Sequence, residues 1–126
     1  MNIRYHTFKN KKDMKLILFC HPLLMMIFAD AENYLLERYP YLFPIVITQT
    51  IAEPLDVSVS QTHKEGRAID FRTKTWEQIE IDDLEQYINN KYAKDFGTSE
   101  TGKNVIVALP HDVGKGQHFH FQIRRF

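Results

Sequence analysis

Four residues at two places in the chain could together bind a metal ion. His63 and Asp70 lie seven positions apart on either side of Gly66, and His118 and His120 follow near the C-terminus with one residue between them. Two imidazoles and one carboxylate are the ligand set of an open zinc site, which keeps a coordination position for water. Because water held there is a usable nucleophile near neutral pH, this combination predicts a hydrolytic metal centre.

The first pair lies at the start of a predicted strand. The segment 68–72 alternates between apolar and polar side chains, so Ile69 and Phe71 are expected to face a core and Asp70 the opposite side, together with Arg72. Gly66 permits a turn that few other residues allow. We therefore expect His63 to fold back toward Asp70.

The second pair lies on a predicted strand, Gln117 to Arg124, whose alternation is stronger. Its inward residues are Phe119, Phe121 and Ile123, and its outward residues are His118, His120 and Gln122. Outward neighbours on a strand stand roughly 6–7 Å apart. This spacing suits one histidine on the metal and the next beside it, near the water or the substrate.

Both segments resemble one family. The stretch from Thr62 to Asp70 is similar to the S-x-H-x-x-G-x-A-x-D signature of zinc D,D-carboxypeptidases and L-alanyl-D-glutamate endopeptidases, the VanY-like and phage-endolysin-like peptidases. His118-Phe119-His120 resembles their C-terminal H-x-H, and Ile45 to Thr48 resembles the strand that leads into the motif. The resemblance covers roughly His21 to Ile123.

The resemblance implies a role for each of these residues. It makes His63, Asp70 and His120 the ligands of Zn²⁺, and His118 the catalytic or substrate-polarising histidine. It implies the Hedgehog/DD-peptidase fold and a peptidoglycan stem peptide as substrate, cleaved at either the D-Ala-D-Ala or the L-Ala-D-Glu bond. Manganese or iron could occupy a site with the same ligands.

The chain departs from the family pattern at three places. Gln61 stands where the family has serine, the stretch 49–53 contains no arginine, and Gln117 precedes His120 by three positions, where some subfamilies place a glutamate base. The missing arginine and the missing glutamate motivate one alternative, a non-catalytic zinc-binding structural or interaction module on the same fold. Another metal-dependent hydrolase, such as an esterase or amidase, could use the same ligands.

Three further residues are candidates for contact with the substrate. Arg67 could replace the missing arginine, since guanidinium binds carboxylates in a two-point fork, although a surface salt bridge is the alternative. His111 precedes the turn into the last strand and could line the site. Gln122 shares the predicted outward face with the two histidines of that strand.

Composition restricts the remaining possibilities. A chain of 126 residues predicts a single domain, 1–126, with 1–15 as a polar arm or short strand. The formal net charge is zero, which gives no bulk basic excess for nucleic-acid binding. Cys20 is the only cysteine, so an intramolecular disulfide is impossible and we expect it to pack as a small apolar residue. We expect a monomer.

One apolar segment, Leu16 to Ala31, resembles a signal peptide because it follows several lysines and contains Ala29-Asp30-Ala31. His21-Pro22 interrupts this segment, and Asp13 precedes it, so a cleavable signal is not favoured. The continuous apolar run is too short for a transmembrane helix. The sequence leaves the cellular location open.

The remaining elements complete an α+β fold, with a small, mostly antiparallel sheet and two main helices. The first helix is predicted at Pro22 to Arg38, apolar almost all round. The second is predicted to start with a capping box at Thr75 to Gln78 and to bury one stripe, formed by Ile79, Leu84, Tyr87, Ile88 and Tyr92. A strand is expected at Asn104 to Leu109, a loop at 52–61 and a turn at 113–116.

Overall fold

A computed structural model describes residues 5–51, 61–101, 103–112 and 116–126, and these form an α+β structure. The strands are β1 (His6–Phe8), β2 (Ile45–Gln49), β3 (Ala68–Arg72), β4 (Ala108–His111) and β5 (His118–Gln122). The helices are α1 (Lys11–Leu16), α2 (Pro22–Arg38), α3 (Gln61–Lys64) and α4 (Gln78–Phe96), with short 3₁₀ turns at Ile17–Phe19 and Pro40–Leu42. The predicted fold class is confirmed.

The five strands form one mixed sheet in the order β1-β2-β3-β5-β4. β1 pairs with β2 in parallel, and the other three pairings are antiparallel. The register between β2 and β3 shifts between Ile47 and Gln49. The central pairing of β3 with β5 sets Asp70 directly opposite His120, and Arg72 opposite His118.

The helices α2 and α4 cover one face of this sheet and build the core with it. Phe28 of α2 packs against Phe71 of β3 and Phe121 of β5. The predicted inward residues of β5, namely Phe119, Phe121 and Ile123, are fully buried, as are Ile69 and Phe71 of β3. The alternation of these strands therefore places their polar side chains on the opposite face of the sheet.

The first predicted helix matches α2, and two local interactions explain where it begins. Pro22 occupies the first helical position, and Nδ1 of His21 accepts a hydrogen bond of 3.1 Å from the backbone N–H of Leu23. The helix was expected to be apolar almost all round, but it is not buried on every side. It buries one stripe on the core, whereas Met26 on its outer side is half exposed.

The predicted start of the second long helix is also wrong, by two to three residues. α4 begins at Gln78, and its reciprocal capping residues are Glu77 and Glu80, so the box at Thr75 to Gln78 does not form. One residue of the predicted stripe is also wrong: Ile81, three positions before Leu84, shares its buried face, whereas Ile79 lies off that face and is 72% exposed. Of the other predicted stripe residues, Leu84, Ile88 and Tyr92 are buried and Tyr87 is partly buried.

Two other boundaries differ from expectation. The strand predicted at Asn104 to Leu109 is β4, Ala108–His111, which is preceded by an isolated bridge between Thr98 and Ile106. The predicted polar arm, where it is described, contains β1 and α1. Positions 52–60 of the loop predicted at 52–61 and positions 113–115 of the predicted turn lie outside the described residues, and Gln61 begins α3.

The apolar segment that resembles a signal peptide divides between two elements. Among the described residues, no single helix has the length and apolar composition of a membrane span. The run Lys11–Phe19 and the helix Pro22–Arg38 satisfy that test only when taken together, and they are bent at 120° to each other. Cys20, at this bend, is buried as expected.

Candidate metal centre

The structure brings His63, Asp70 and His120 together as a buried group that could hold a metal ion. One potential ligand atom from each residue lies within 4.8 Å of the others. The cross-strand pairing of β3 with β5 brings Asp70 and His120 face to face. His63 reaches them from α3, a single helical turn, Gln61–Lys64, which is followed by a turn at Gly66.

Gly66 is needed where α3 turns back into β3. Its φ is +71°, in the left-handed region that favours glycine. A Cβ at this position would lie 2.9 Å from the carbonyl oxygen of Phe19. The backbone carbonyl of Gly66 also accepts a hydrogen bond of 2.9 Å from His21 N–H. The turn is therefore fixed against the chain that leads into α2, as the predicted return of His63 requires.

His63 is oriented by its backbone partner. Its Nδ1–H donates a hydrogen bond of 2.7 Å to the carbonyl oxygen of Thr50. Its Nε2 lies 3.1 Å from Oδ2 of Asp70, but this buried nitrogen makes no hydrogen bond among the described residues. A buried polar atom without a partner is costly unless a ligand satisfies it. The free Nε2 therefore fits a metal ligand, because the hydrogen bond at the other ring nitrogen selects the tautomer.

His120 is oriented in the same way by Gln122. The Gln122 side-chain amide donates to the carbonyl oxygen of Thr98 at 2.8 Å, which turns its Oε1 toward His120. Nε2–H of His120 then donates to that oxygen at 3.1 Å. Nδ1–H donates a hydrogen bond of 2.7 Å to Oδ1 of Asp70, so Nδ1 is the nitrogen that faces the centre. A metal ion bound by His120 would take the place of this Nδ1 proton.

The Asp70 carboxylate stands between the two histidines. Its burial acts to raise the pKa of the carboxyl group, but the contacts with His120 and His63 outweigh this and hold the pKa well below its usual range. The group is therefore ionised over the physiological pH range. Two imidazoles and one carboxylate form the donor set of open catalytic sites for zinc and related ions, and their atoms here fit such an ion.

His118 stands beside this group and is not part of it. Nδ1–H of His118 donates a hydrogen bond of 3.0 Å to the carbonyl oxygen of Gly116, and Nε2 lies 3.8 Å from Oδ2 of Asp70. The side chain is partly exposed, at 13%. The predicted arrangement, with one histidine in the group and its neighbour next to it, matches these positions.

A cleft of about 430 Å³ opens beside the group, and both Asp70 and His118 line it. Three cationic side chains, Lys9, Arg72 and Lys74, also line it, as do Thr48, Gln49, Gly116 and Gln117. Asp70 is the only carboxylate among these lining residues. The cleft therefore offers a positively charged wall for a substrate anion next to the candidate metal centre.

His111 lies at the edge of the site, as the sequence suggested. It pairs with His118 across β4 and β5, and the two rings are 5.3 Å apart. Its ring is 6.4 Å from that of His120. Burial, followed by the fields of His118 and His120, lowers the pKa of His111, so this side chain is neutral at physiological pH.

The structure gives Arg67 and Gln122 places other than the substrate-facing ones expected. Arg67 is buried, and its guanidinium is bound by Glu65, Glu100 and the carbonyl oxygen of Ile123. It therefore forms a salt bridge, but a buried one that leaves no free fork for a substrate. Gln122 is fully buried and holds His120, so it positions a candidate ligand.

Sequence reasoning missed the residues that hold Thr50. Asp13 of α1 is fully buried, and its Oδ1 accepts hydrogen bonds from the backbone N–H and the hydroxyl of Thr50, at 3.1 and 2.7 Å. Thr50 in turn accepts the hydrogen bond of His63. An aspartate in a lysine-rich segment is expected to be exposed to solvent, so the sequence did not predict this contact. The outward position of Arg72, in contrast, followed from its alternation with Asp70.

Comparison with known proteins adds no family assignment, because no family model, curated protein or solved structure matches this chain. The resemblance to the zinc peptidases therefore rests on the motif residues of the sequence alone.

Proposed function

We propose that this chain is a zinc-dependent peptidase that hydrolyses the stem peptides of peptidoglycan. The observation that carries the proposal is the orientation of both histidines. Thr50 fixes the tautomer of His63 and Gln122 that of His120, so that Nε2 of one and Nδ1 of the other face the same carboxylate. In metal sites, hydrogen-bond partners of this kind fix the tautomer and the orientation of the ligating histidines.

A zinc ion bound by these three residues would supply a Lewis acid that polarises the scissile carbonyl and lowers the pKa of the attacking water. Two imidazoles with one carboxylate suit zinc, and also manganese or iron. Magnesium and calcium prefer sites made of oxygen ligands alone.

His118 is the residue proposed to move the proton. With Nδ1–H donated to Gly116, its Nε2 is unprotonated when the ring is neutral and faces Asp70 at 3.8 Å. It could accept a proton from the attacking water and pass it to the leaving amine. Among the described residues lining the cleft, the only carboxylate is Asp70, a proposed ligand, so no second acidic group competes for this role.

The cationic wall supports a substrate that carries carboxylates. Arg72, Lys9 and Lys74 line the same cleft as His118, and Arg72 lies directly opposite His118 in the paired strands. Guanidinium binds a carboxylate in a two-point fork. Stem peptides carry both a terminal and a side-chain carboxylate, which fits either of the two bonds implied by the resemblance.

One observation favours the alternative of a non-catalytic metal-binding module. His63 and His120 are each about 3% exposed, and Gln117 stands where a glutamate base would be expected. A buried ion without access to a substrate would contribute to folding stability alone. Such a module would bind zinc and leave every stem peptide intact.

The two functions are separated by hydrolysis of defined muropeptides, followed by mass spectrometry. The wild-type chain should cleave one bond and so identify it. His118→Ala should keep its zinc and lose at least about a hundredfold in kcat, the typical contribution of a positioned acid–base group. His120→Ala should lose both zinc and activity. Full zinc occupancy with no cleavage of any stem peptide would reject the peptidase in favour of the module.

A further inference from the structure

A run of apolar side chains is exposed where the chain passes from α1 to α2. Leu18 is 83% exposed, Phe19 is 73% exposed and Met14 is more than half exposed. All three fall within six consecutive positions, and none of them lines the described cleft. Side chains this exposed protrude from the surface, and they form a raised apolar edge.

The outward direction of these side chains is set by the buried side of the same segment. Asp13 is fully buried against Thr50, and Leu16 and Ile17 are partly buried. Met14 lies on α1, whereas Leu18 and Phe19 belong to the 3₁₀ turn Ile17–Phe19 that follows it. The segment therefore holds its polar anchor inside and its most apolar residues outside, the reverse of an ordinary surface helix.

The exposed charged side chains of the segment 5–19 are all positive. Lys11, Lys12 and Lys15 are exposed on α1, and Lys9 precedes it. The one acidic residue of the stretch 5–19, Asp13, is buried. Within the described part of the chain, none of these lysines pairs with a carboxylate. In a chain of zero net charge, this is a local excess of unpaired positive charge.

The C-terminus adds to the same surface. The ring of Phe126, which is 63% exposed, lies 5.4 Å from that of His21, two residues beyond Phe19. The guanidinium of Arg124 stands over the Phe126 ring at 4.4 Å. An exposed aromatic side chain with a cation against it therefore adjoins the raised edge.

We propose that this surface, comprising Met14, Leu18 and Phe19 with the surrounding lysines, binds an anionic lipid membrane at its interface. Protruding apolar side chains can insert at the boundary between headgroups and acyl chains, while lysines beside them bind anionic headgroups. Apolar insertion and basic attraction together give a reversible peripheral attachment. The inference does not depend on the metal centre, because none of its residues is a proposed ligand.

A lipid surface suits this edge better than a protein partner does. A stable protein interface takes about 20–30 residues on each side, with a broad, closely fitting surface. Here three protruding apolar residues lie within nine positions of helix and 3₁₀ turn, surrounded by flexible lysines. Lysine is depleted at protein interfaces, whereas it is favoured next to anionic headgroups.

The test is sedimentation of the full chain with vesicles of phosphatidylcholine, with and without phosphatidylglycerol. The wild type should bind the anionic vesicles, and binding should weaken as salt screens the lysines. Lys11→Gln with Lys15→Gln should lower the partition coefficient about fivefold per lysine. Leu18→Ser with Phe19→Ser should lower it at least about tenfold, since each loses a large apolar contact.

Matched variants on other elements control for general loss of charge or apolar surface. Lys94→Gln with Lys103→Gln removes two exposed lysines, and Ile79→Ser with Val105→Ser removes two exposed apolar side chains. Both control pairs should bind as the wild type does. Circular dichroism verifies that every variant is folded, and light scattering reports the mass of each in solution.

Three results would overturn the proposal. The first is that the wild type fails to sediment with anionic vesicles, and the second is that the control pairs lower binding as much as the patch variants do. A dimer that dissociates in Leu18→Ser with Phe19→Ser, without vesicle binding, would assign the edge to a second copy of this chain.

Discussion

The carbonyl oxygen of Thr50 lies 2.7 Å from Nδ1 of His63 and accepts its hydrogen bond. Thr50 is itself held by Asp13, which accepts from both its backbone N–H and its hydroxyl. The orientation of a proposed metal ligand is thus determined by a buried carboxylate 50 positions earlier in the chain. Partners of this kind commonly change metal affinity by about 10- to 100-fold when they are removed.

Replacing Asp13 should therefore weaken metal binding without touching a ligand. Asp13→Ala leaves the N–H and hydroxyl of Thr50 without their acceptor, and the loss of that anchor frees His63 to turn. We expect zinc affinity to fall by about 10- to 100-fold, measured by competition with a chromophoric chelator. Asp13→Asn keeps an acceptor oxygen and should retain most of the affinity. Equal affinity in the wild type and Asp13→Ala would show that Thr50 is held independently of Asp13.

The affinity for the metal should rise with pH. Burial acts to lower the pKa of His63, but the nearby Asp70 carboxylate and the bond to Thr50 outweigh this and raise it. A histidine must lose its proton to bind a metal. Affinity should therefore increase about tenfold per pH unit below the raised pKa of His63 and level off above it. Competition titrations across this range test the slope, and an affinity independent of pH would contradict it.

The metal-free protein should show the opposite trend in stability. Because the folded-state pKa of His63 is raised, its contribution stabilises the fold fully below the unfolded pKa of about 6.5. That contribution is lost as the pH rises through the raised value. Urea unfolding of the metal-free chain should thus show a lower midpoint at mildly alkaline than at mildly acidic pH, and saturating zinc should reverse the order. If metal-free His63→Ala still unfolds at lower urea at alkaline than at acidic pH, a group other than His63 is responsible.

Removing the cation of Arg72 should weaken substrate binding more than it slows the chemistry. Arg72 lines the cleft, and its side chain is exposed. A hydrogen bond between charged groups contributes about 1.5–3 kcal/mol, so Arg72→Gln should raise KM by roughly 10- to 100-fold with kcat little changed. The matched control is Arg38→Gln, an exposed arginine of α2. An unchanged KM for carboxylate-bearing peptides would remove Arg72 from the binding site.

Gly66 and Gly116 provide a matched pair for the turn that positions His63. Both have positive φ, +71° and +94°, but only at Gly66 would a Cβ approach backbone, at 2.9 Å from Phe19 O. The left-handed conformation costs an alanine about 1–2 kcal/mol, so each Gly→Ala change should lower the free energy of unfolding by that amount. Gly66→Ala should cost more because of the additional close contact. Equal urea midpoints for Gly66→Ala and Gly116→Ala would contradict the additional steric cost expected at Gly66.

The sequence predicted those parts of the site that depend on strand periodicity. Alternation along β5 placed His118, His120 and Gln122 on one face, and Gly66 identified the turn that returns His63 to Asp70. These relationships are local, since each depends on residues a few positions apart. The pairing that joins the two segments did not follow from periodicity; it was inferred from ligand chemistry and the family resemblance.

Long-range contacts account for what the sequence did not predict. Asp13 lies in a lysine-rich segment, and only the packing of α1 against β2 buries it beside Thr50. Strand alternation places Gln122 on the outward face, together with His118 and His120. Its side chain is nevertheless fully buried and bonded to Thr98, so it supports His120 and does not face the substrate. The cap of α4 is formed by Glu77 and Glu80, a choice between two nearby capping patterns that composition does not decide.

Cleavage of a defined stem peptide by the metal-free protein, before and after zinc is restored, tests the central claim most directly. We predict that the chain stripped by a chelator is folded and inactive. One equivalent of zinc should restore cleavage of a single bond, with His63→Ala and His120→Ala remaining inactive at that zinc concentration. Cleavage that persists without metal, or zinc that binds equally well in both variants, would contradict a zinc peptidase centred on His63, Asp70 and His120.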